Sequence, residues 1–171
     1  MWAREPGFPT LVHIILEQQV SLASARAAFT KLTQAAAPLT PQAFLRFDDD
    51  QLKAIGFSRQ KAAYCHGLAE AILQGRLDLE ALATLPDEDV RAALLAQKGI
   101  GPWTADIYLL MVLLRPDVWP AGDLALALAY QRLKGYPVRP GTQELAAIAE
   151  GWRPWRAVAA RLLWHHYLNP R

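Results

Sequence analysis

Cysteine is nearly absent: Cys65 is the only one in 171 residues. A lone thiol excludes an internal disulfide and cannot supply the thiolates that hold an iron–sulfur cluster. Histidine is scarce too, with four residues. His165 and His166 are adjacent, so on a helix they point in different directions and cannot chelate one ion together. His13 and His66 stand alone in sequence. The expectation is four packed or solvated histidines and no catalytic transition metal. No apolar run reaches the roughly 18 residues of a membrane span, and no signal-peptide pattern opens the chain. Charged residues make up 20% and the net charge is +2, too little by itself to announce a polyanionic partner. These absences predict a soluble, intracellular protein with no membrane partner, in the cytoplasm or nucleoid if the source is bacterial or archaeal; a monomer is expected.

What is present is a core. Hydrophobic residues account for 53%, which excludes a disordered chain and suffices for one domain or two small lobes. Charge is unevenly spread. Residues 1–97 hold nine Lys/Arg against eleven Asp/Glu, and residues 98–171 hold nine against five. The second stretch is therefore the better place for a polyanion to dock.

The periodicity is helical almost throughout. Phe8, Leu11, Val12, Ile15 and Leu16 follow helix spacing after Pro9-Thr10. Further helices are predicted over Ser21–Ala36, Thr40–Leu45, Asp48–Ile55 and Ser58–Leu73, the last two closed by Gly56 and Gly75. Short ones follow near Asp78–Ala83 and Asp87–Ala96. The remainder are expected from Pro102 to about Leu114, from Asp123 to Lys134, from a Thr142 cap to Glu150, and from Pro154 to Tyr167. No convincing strand pattern occurs. The fold class read from this is all-α, about ten short helices in two lobes.

Two local features carry chemistry. In 95-LAQKGIGPWTAD-106 two glycines flank one isoleucine between two helices. Glycine admits positive φ and close backbone approach, Ile100 is placed to plug into the core, and the next helix begins at once with its free N–H groups outward. That is a ready anion site. The N–H groups of Gly99, Gly101 and Thr104, with Lys98 alongside, suit a nucleic-acid phosphate. The plainer reading is a tight helical hairpin that binds nothing. In 119-WPAGDLALALAY-130 a single carboxylate, Asp123, stands at the mouth of an apolar helix. Its plainer reading is an N-cap favoured by the helix dipole.

Three segments in order extend the pattern. The stretches 94-LLAQKGIGPWTA-105 and 115-RPDVWPAGD-123, with 8-FPTLVHIILEQQVSLASARA-27, resemble the helix–hairpin–helix (HhH-GPD) DNA glycosylase superfamily, in its 3-methyladenine DNA glycosylase II (AlkA-like) branch. The stretches 55-IGFSRQKAAYCHGLAEAI-72 and 152-WRPWRAVAARLLWHH-166 are similar to the segment joining that family's lobes and to its last helix. The resemblance covers nearly the whole chain, 1–171, as one domain: a central lobe of about residues 25–115 including the hairpin 95–105, and a second lobe from 1–24 and 116–171, with a cleft between them. Many relatives carry an N-terminal β lobe; this chain starts just before the first common helix, so no such lobe is expected.

The resemblance implies excision of a damaged base flipped out of double-stranded DNA, by hydrolysis of its N-glycosidic bond. It places the catalytic carboxylate on Asp123, pocket aromatics on Trp103 and Trp164, and pocket positions on Ile107 and Tyr108. Gln19 is the side chain expected to fill the hole left by the flipped base, with Gln18 beside it. Glu17 stands where relatives carry glycine and is expected to point away from phosphate. The family also holds a sodium or potassium ion at the hairpin through main-chain carbonyls, here those of Leu95, Gln97 and Ile100. No other cofactor is expected. Relatives that also cut the backbone carry a lysine two residues after the second glycine; Trp103 occupies that position and cannot form a Schiff base. The expectation is thus a monofunctional enzyme for alkylated bases of the 3-methyladenine and 7-methylguanine type, whose positive charge suits an aromatic pocket. Trp119, Trp152 and Trp155 read as core, and Trp2 as terminal packing. Arg26, Arg59, Lys61, Arg132 and Lys134 are candidate DNA contacts. The alternatives are a non-catalytic hairpin DNA-binding module, a glycosylase for uracil, mismatched thymine or oxidised purine, and a helical interaction domain.

Overall fold

The computed structural model describes residues 3–169, so Trp2 lies outside the described residues. Among them there are ten α-helices, one short 3-10 helix and no strand. The helices are α1 Phe8–Glu17, α2 Leu22–Ala35, α3 Pro41–Phe44, α4 Asp49–Ile55, α5 Arg59–Leu73, α6 Asp87–Leu95, α7 Pro102–Met111, α8 Leu124–Lys134, α9 Thr142–Glu150 and α10 Arg156–Leu168. The 3-10 turn is Ala81–Thr84.

Side-chain caps set most starts. Ser21, Thr40, Asp48 and Ser58 each accept the main-chain N–H three residues on, and Asp48 with Gln51 closes a reciprocal capping box. At Gly75, φ is +68°, and Arg76 N–H reaches back to Ala71 O at 2.9 Å, so glycine ends α5 in the left-handed region. Four boundaries differ from the sequence reading. Helix α7 ends at Met111, short of the expected Leu114, whose own φ is +55°. The segment after Asp78 is a 3-10 turn starting at Ala81, because the Asp78 carboxylate takes the N–H groups of Glu80 and Ala81. Thr142 is the first helical residue rather than the cap; Gly141 caps α9, its N–H donating to Glu144 at 3.3 Å. The last helix begins at Arg156, not Pro154, because Trp155 N–H closes a turn onto Trp152 O at 2.7 Å.

The chain forms two compact units, Arg4–Ala105 and the stretch from Asp106 onward. In the first, α1 packs on α2 and α5, which groups residues 4–24 with the helices that follow, where the sequence reading set 1–24 beside 116–171. Its core is centred on Phe44, with no solvent exposure. Phe8, Phe57 and His66 surround that ring at 5.7, 5.8 and 5.2 Å. Leu11, Ile14 and Ile15 of α1 and Leu32 of α2 complete it, all at 0% exposure. His13 stacks on Phe29 at 4.2 Å.

In the second unit α8 packs on α10, with Leu126, Ala129 and Ala160 fully buried; the alanines permit close helix approach. Trp119 meets Trp152 edge to face at 5.4 Å, and Trp152 meets Tyr130 at 6.0 Å. Trp155 departs from the expectation of a core ring: as the residue capping α10 it is 60% exposed. The loop 115–123 is clamped to the start of α10. Ala157 N–H donates to Pro116 O at 3.0 Å. Arg156 donates through Nε to Asp117 Oδ1 at 2.7 Å and through Nη2 to Asp117 O at 3.0 Å. Arg153 adds a bond to Asp117 Oδ2 at 2.7 Å.

The Arg156 guanidinium holds the Asp117 carboxyl below its ordinary value of 3.8. Asp117→Asn should lower stability at pH 7 by about 1–2 kcal/mol, the scale of hydrogen bonds to charged groups. A lowered folded pKa means the stabilisation is complete above the ordinary carboxylate value and is lost as pH falls through the folded one. Urea midpoints of wild type and D117N should therefore separate at pH 7 and converge as the pH drops below 3.8.

Candidate active site and nucleic-acid interface

The hairpin lies in the first unit between α6 and α7. Gln97 N–H bonds Leu94 O at 3.0 Å and Ile100 N–H bonds Gln97 O at 3.1 Å, which turns the chain tightly. Ile100 is 5% exposed and anchors the loop. The two glycines have different physical origins. Gly99 has φ +92°, and a Cβ there would sit 2.2 Å from the Tyr64 ring. Both backbone and neighbour therefore demand glycine. Gly101 has no such φ, and a Cβ there would meet nothing within 4 Å. Nothing in the first unit requires its missing side chain; what the glycine provides is open space beside the start of α7. Lys98 is exposed on the turn and Trp103 is half-buried.

The turn after α1 is fastened to this hairpin. Gln18 Nε2 donates to Gly99 O at 2.9 Å and to Thr104 Oγ1 at 3.0 Å. Thr104 is 2% exposed, so its hydroxyl is an internal acceptor. The amide nitrogen of Gln18 is thus directed inward rather than toward a nucleic acid. Lys61, a candidate phosphate contact in the sequence, also turns inward: its Nζ donates to Leu16 O at 2.7 Å and Gln18 O at 2.8 Å, closing the last turn of α1. Burial lowers its pKa, and burial raises that of Cys65 beneath it. Gln19 is exposed, with φ +56°, a region that non-glycine residues enter at some cost. Glu17 pairs with Arg4 at 2.8 and 3.0 Å, which disposes of its charge. Among the other basic candidates, Arg132 lies over the Tyr167 ring at 5.3 Å and Lys134 near Tyr130 at 6.0 Å; Arg26 and Arg59 are exposed.

In the second unit the turn Pro120–Gly122, with Gly122 at φ +82°, delivers Asp123 to the start of α8. Asp123 Oδ1 accepts the Leu126 N–H at 3.0 Å, as an N-cap does. The same oxygen accepts Trp164 Nε1–H at 3.2 Å. Trp164 is 8% exposed, so the indole is packed and aimed. Asp123 also borders a cleft of about 240 Å³ lined by Trp119, Ala127, Arg139, Thr142 and Leu145. Ile107 and Tyr108, expected at a pocket, are buried at 2% and 0% exposure, and the Tyr108 hydroxyl meets no hydrogen-bond partner among the described residues. Burial pushes that phenol up to about 12. These two side chains present no open surface. Among the described residues no three His, Cys, Asp or Glu side chains gather to hold a metal ion.

Sequence reasoning missed Tyr64, the ring that fixes Gly99, and Arg139 at the Asp123 cleft. Tyr64 sits in a helix pattern with nothing to mark it. Arg139, between prolines in 136-YPVRPG-141, carried a signal only as an exposed cation on a stiff loop.

Comparison with known proteins adds context to this geometry. Residues 12–154 match the family model for the HhH-GPD superfamily base excision DNA repair protein. The chain is 30% identical over 168 residues to DNA-3-methyladenine glycosylase 1 of Schizosaccharomyces pombe, covering 96% of this chain and 73% of that protein. It is 32% identical over 183 residues to DNA-3-methyladenine glycosylase 2 of Escherichia coli, covering 95% and 60%. Among solved structures, the Schizosaccharomyces pombe 3-methyladenine DNA glycosylase (Mag1) in complex with abasic DNA matches with a TM-score of 0.92 at 28% identity, covering 98% of this chain and 84% of that one. The chain spans less than half of some relatives, 43% of one from Bacillus subtilis.

The hairpin geometry sets a stability test. Gly99→Ala should cost about 2 kcal/mol or more, from a positive φ and overpacking against Tyr64. Adding Tyr64→Ala should return the overpacking share. Urea unfolding of the single and double variants measures both.

Proposed function

The chain belongs to the HhH-GPD superfamily of base excision DNA repair proteins, and we propose that it is a monofunctional DNA glycosylase that releases alkylated bases of the 3-methyladenine and 7-methylguanine type from double-stranded DNA. The observation that carries this reading is the Asp123 carboxylate. It is held at a helix start by Leu126 N–H and by the indole of Trp164, beside an open cleft. The cap to Leu126 serves α8 under any reading; the bond from the Trp164 indole is the one that a hairpin module that only binds DNA does not call for.

Cleavage of an N-glycosidic bond builds positive charge on the sugar, as glycoside hydrolysis does. A carboxylate fixed beside that charge stabilises it without reorganising during the reaction, and it is placed to orient the attacking water. The water oxygen bonds to C1′ while the C1′–N bond breaks. The electron pair of that bond goes to the departing base and neutralises the charge an alkylated purine carries. A water proton passes to the carboxylate or to solvent. The products are an abasic site and a free base. No general acid is required, because the leaving group is already cationic. Trp164, bonded to Asp123, is the aromatic face of the proposed pocket in the second unit. Trp103 stands where strand-cutting relatives have lysine, which supports hydrolysis without lyase chemistry.

The hairpin supplies the grip on the phosphate backbone, through the open approach at Gly101, the start of α7 and Lys98. Gln19 on the turn after α1 fills the space vacated by the flipped base. A sodium or potassium ion on the main-chain carbonyls of Leu95, Gln97 and Ile100 belongs to the same reading. Neutral carbonyl oxygens suit a hard cation, which would add positive charge near the phosphate. The hydrolysis does not pass through it.

Methylated duplex DNA incubated with the wild-type protein should release 3-methyladenine and 7-methylguanine into the soluble fraction, and the strand should break only after added alkali. Asp123→Asn should cut release at least 100-fold, the scale of a lost electrostatic stabiliser, while duplex binding stays within about threefold. Binding by both proteins with release by neither would favour the non-catalytic module.

A further inference from the structure

We propose that Gln18 is a positioning residue: it latches the turn that presents Gln19 to the phosphate-gripping hairpin, so that the two DNA-engaging elements of the first unit act as one rigid piece. This rests on the reading of Gln19 as the side chain that fills the hole of a flipped base. Each element is otherwise complete. The end of α1 has its carbonyls met by Lys61, at Leu16 O and Gln18 O. The hairpin has its own anchor in Ile100 and its own spacer in the Tyr64 ring against Gly99. The Gln18 amide does a third thing. From one nitrogen it reaches two points of the hairpin 81 and 86 residues away in sequence, Gly99 O and Thr104 Oγ1.

The chemistry of the bonds fits a spacer. Both acceptors are neutral and one is a hydroxyl at 2% exposure, so the bond to Thr104 is little weakened by water. Lys61 grips the main chain of the same residue whose side chain reaches the hairpin. Gln18 is therefore fixed at both ends, and the next residue, Gln19, is left exposed on a left-handed backbone. Insertion of Gln19 into a base stack pushes back on this turn. A turn tied to the hairpin passes that load to the phosphate grip; an untied one swings away. The latch thus matters for DNA with a gap to fill and little for intact DNA, where the hairpin's phosphate contacts dominate.

The test compares two duplexes of one sequence, one intact and one with a tetrahydrofuran abasic analogue, by fluorescence anisotropy. The wild type should prefer the abasic duplex. Gln18→Met keeps the length of the side chain and removes the donor. It should weaken abasic binding about tenfold, a factor two neutral hydrogen bonds can supply, and change intact binding less than about twofold. Thr104→Val, which keeps the main-chain N–H, removes one acceptor from the other side. It should lower the same preference, with the double variant losing no more than Q18M alone. Melting curves of all variants report folding, and T104V stands in if Q18M does not fold. The latch is overturned if both single variants keep the wild-type preference, or if they weaken both duplexes equally. A wild-type protein with no preference for the abasic duplex overturns the glycosylase reading and the latch with it.

Discussion

One oxygen, Oδ1 of Asp123, accepts two N–H groups at once, the main chain of Leu126 and the indole of Trp164. The architecture of the second unit converges on this point. The loop that carries Asp123 is tied at its beginning to the first turn of α10, through Ala157 to Pro116 and Arg156 to Asp117. It is tied at its end to the same helix, about two turns further on, through Trp164. One helix therefore holds the loop at both ends. The carboxylate cannot rotate away without giving up an N-cap and leaving a packed indole N–H short of a partner, a cost of about 1–3 kcal/mol. Helix capping and the proposed catalytic role are not competing accounts of Asp123. The cap supplies the fixed orientation that charge stabilisation needs.

A comparable economy governs the hairpin, where the two glycines divide the work. Gly99 answers to the protein: its φ and the Tyr64 ring both forbid a side chain. Gly101 answers to neither, and the space beside it is open. A glycine that neither φ nor a neighbour demands leaves open space beside the start of α7, the close backbone access that the proposed phosphate grip would use.

The helices and their order were legible in the sequence because their signals are local. Serine, threonine and aspartate caps, prolines in first turns and glycines after last turns each act within a few residues. The errors were local too: Asp78 shifted a short helix into a 3-10 turn by taking two N–H groups, and a turn at Trp152–Trp155 displaced a ring expected in the core. The motifs around Gly99 and Asp123 could be read for the same reason, since loop, glycine and carboxylate are neighbours in the chain. What could not be read was any contact across a long stretch of chain. Gln18 to Thr104, Trp164 to Asp123 and Arg156 to Asp117 all depend on which helix faces meet. Lys61 shows the limit plainly. Its sequence surroundings describe an ordinary surface lysine, and only the packing of α5 against α1 turns its ammonium onto two carbonyls.

That inward turn bears on how the first unit holds a polyanion at all. Residues 1–97 carry more acidic than basic side chains. Much of the acid is spent at helix starts, Asp48–Asp50 at α4 and Asp87–Asp89 at α6, where it complements the dipole. Arg4 is committed to Glu17 and Lys61 to carbonyls. On the hairpin itself this leaves Lys98 and the polar backbone, with Arg26 and Arg59 exposed elsewhere in the first unit. A grip built mainly from N–H groups is directional and short in range. It rewards a phosphate seated in one position, where a patch of lysines would reward any phosphate nearby. An enzyme of the proposed kind, which stops at one altered nucleotide and inserts a side chain beside it, gains from that kind of contact. Rigid registration of the backbone lets the position of Gln19 be set in advance, by the same hairpin to which Gln18 is bonded.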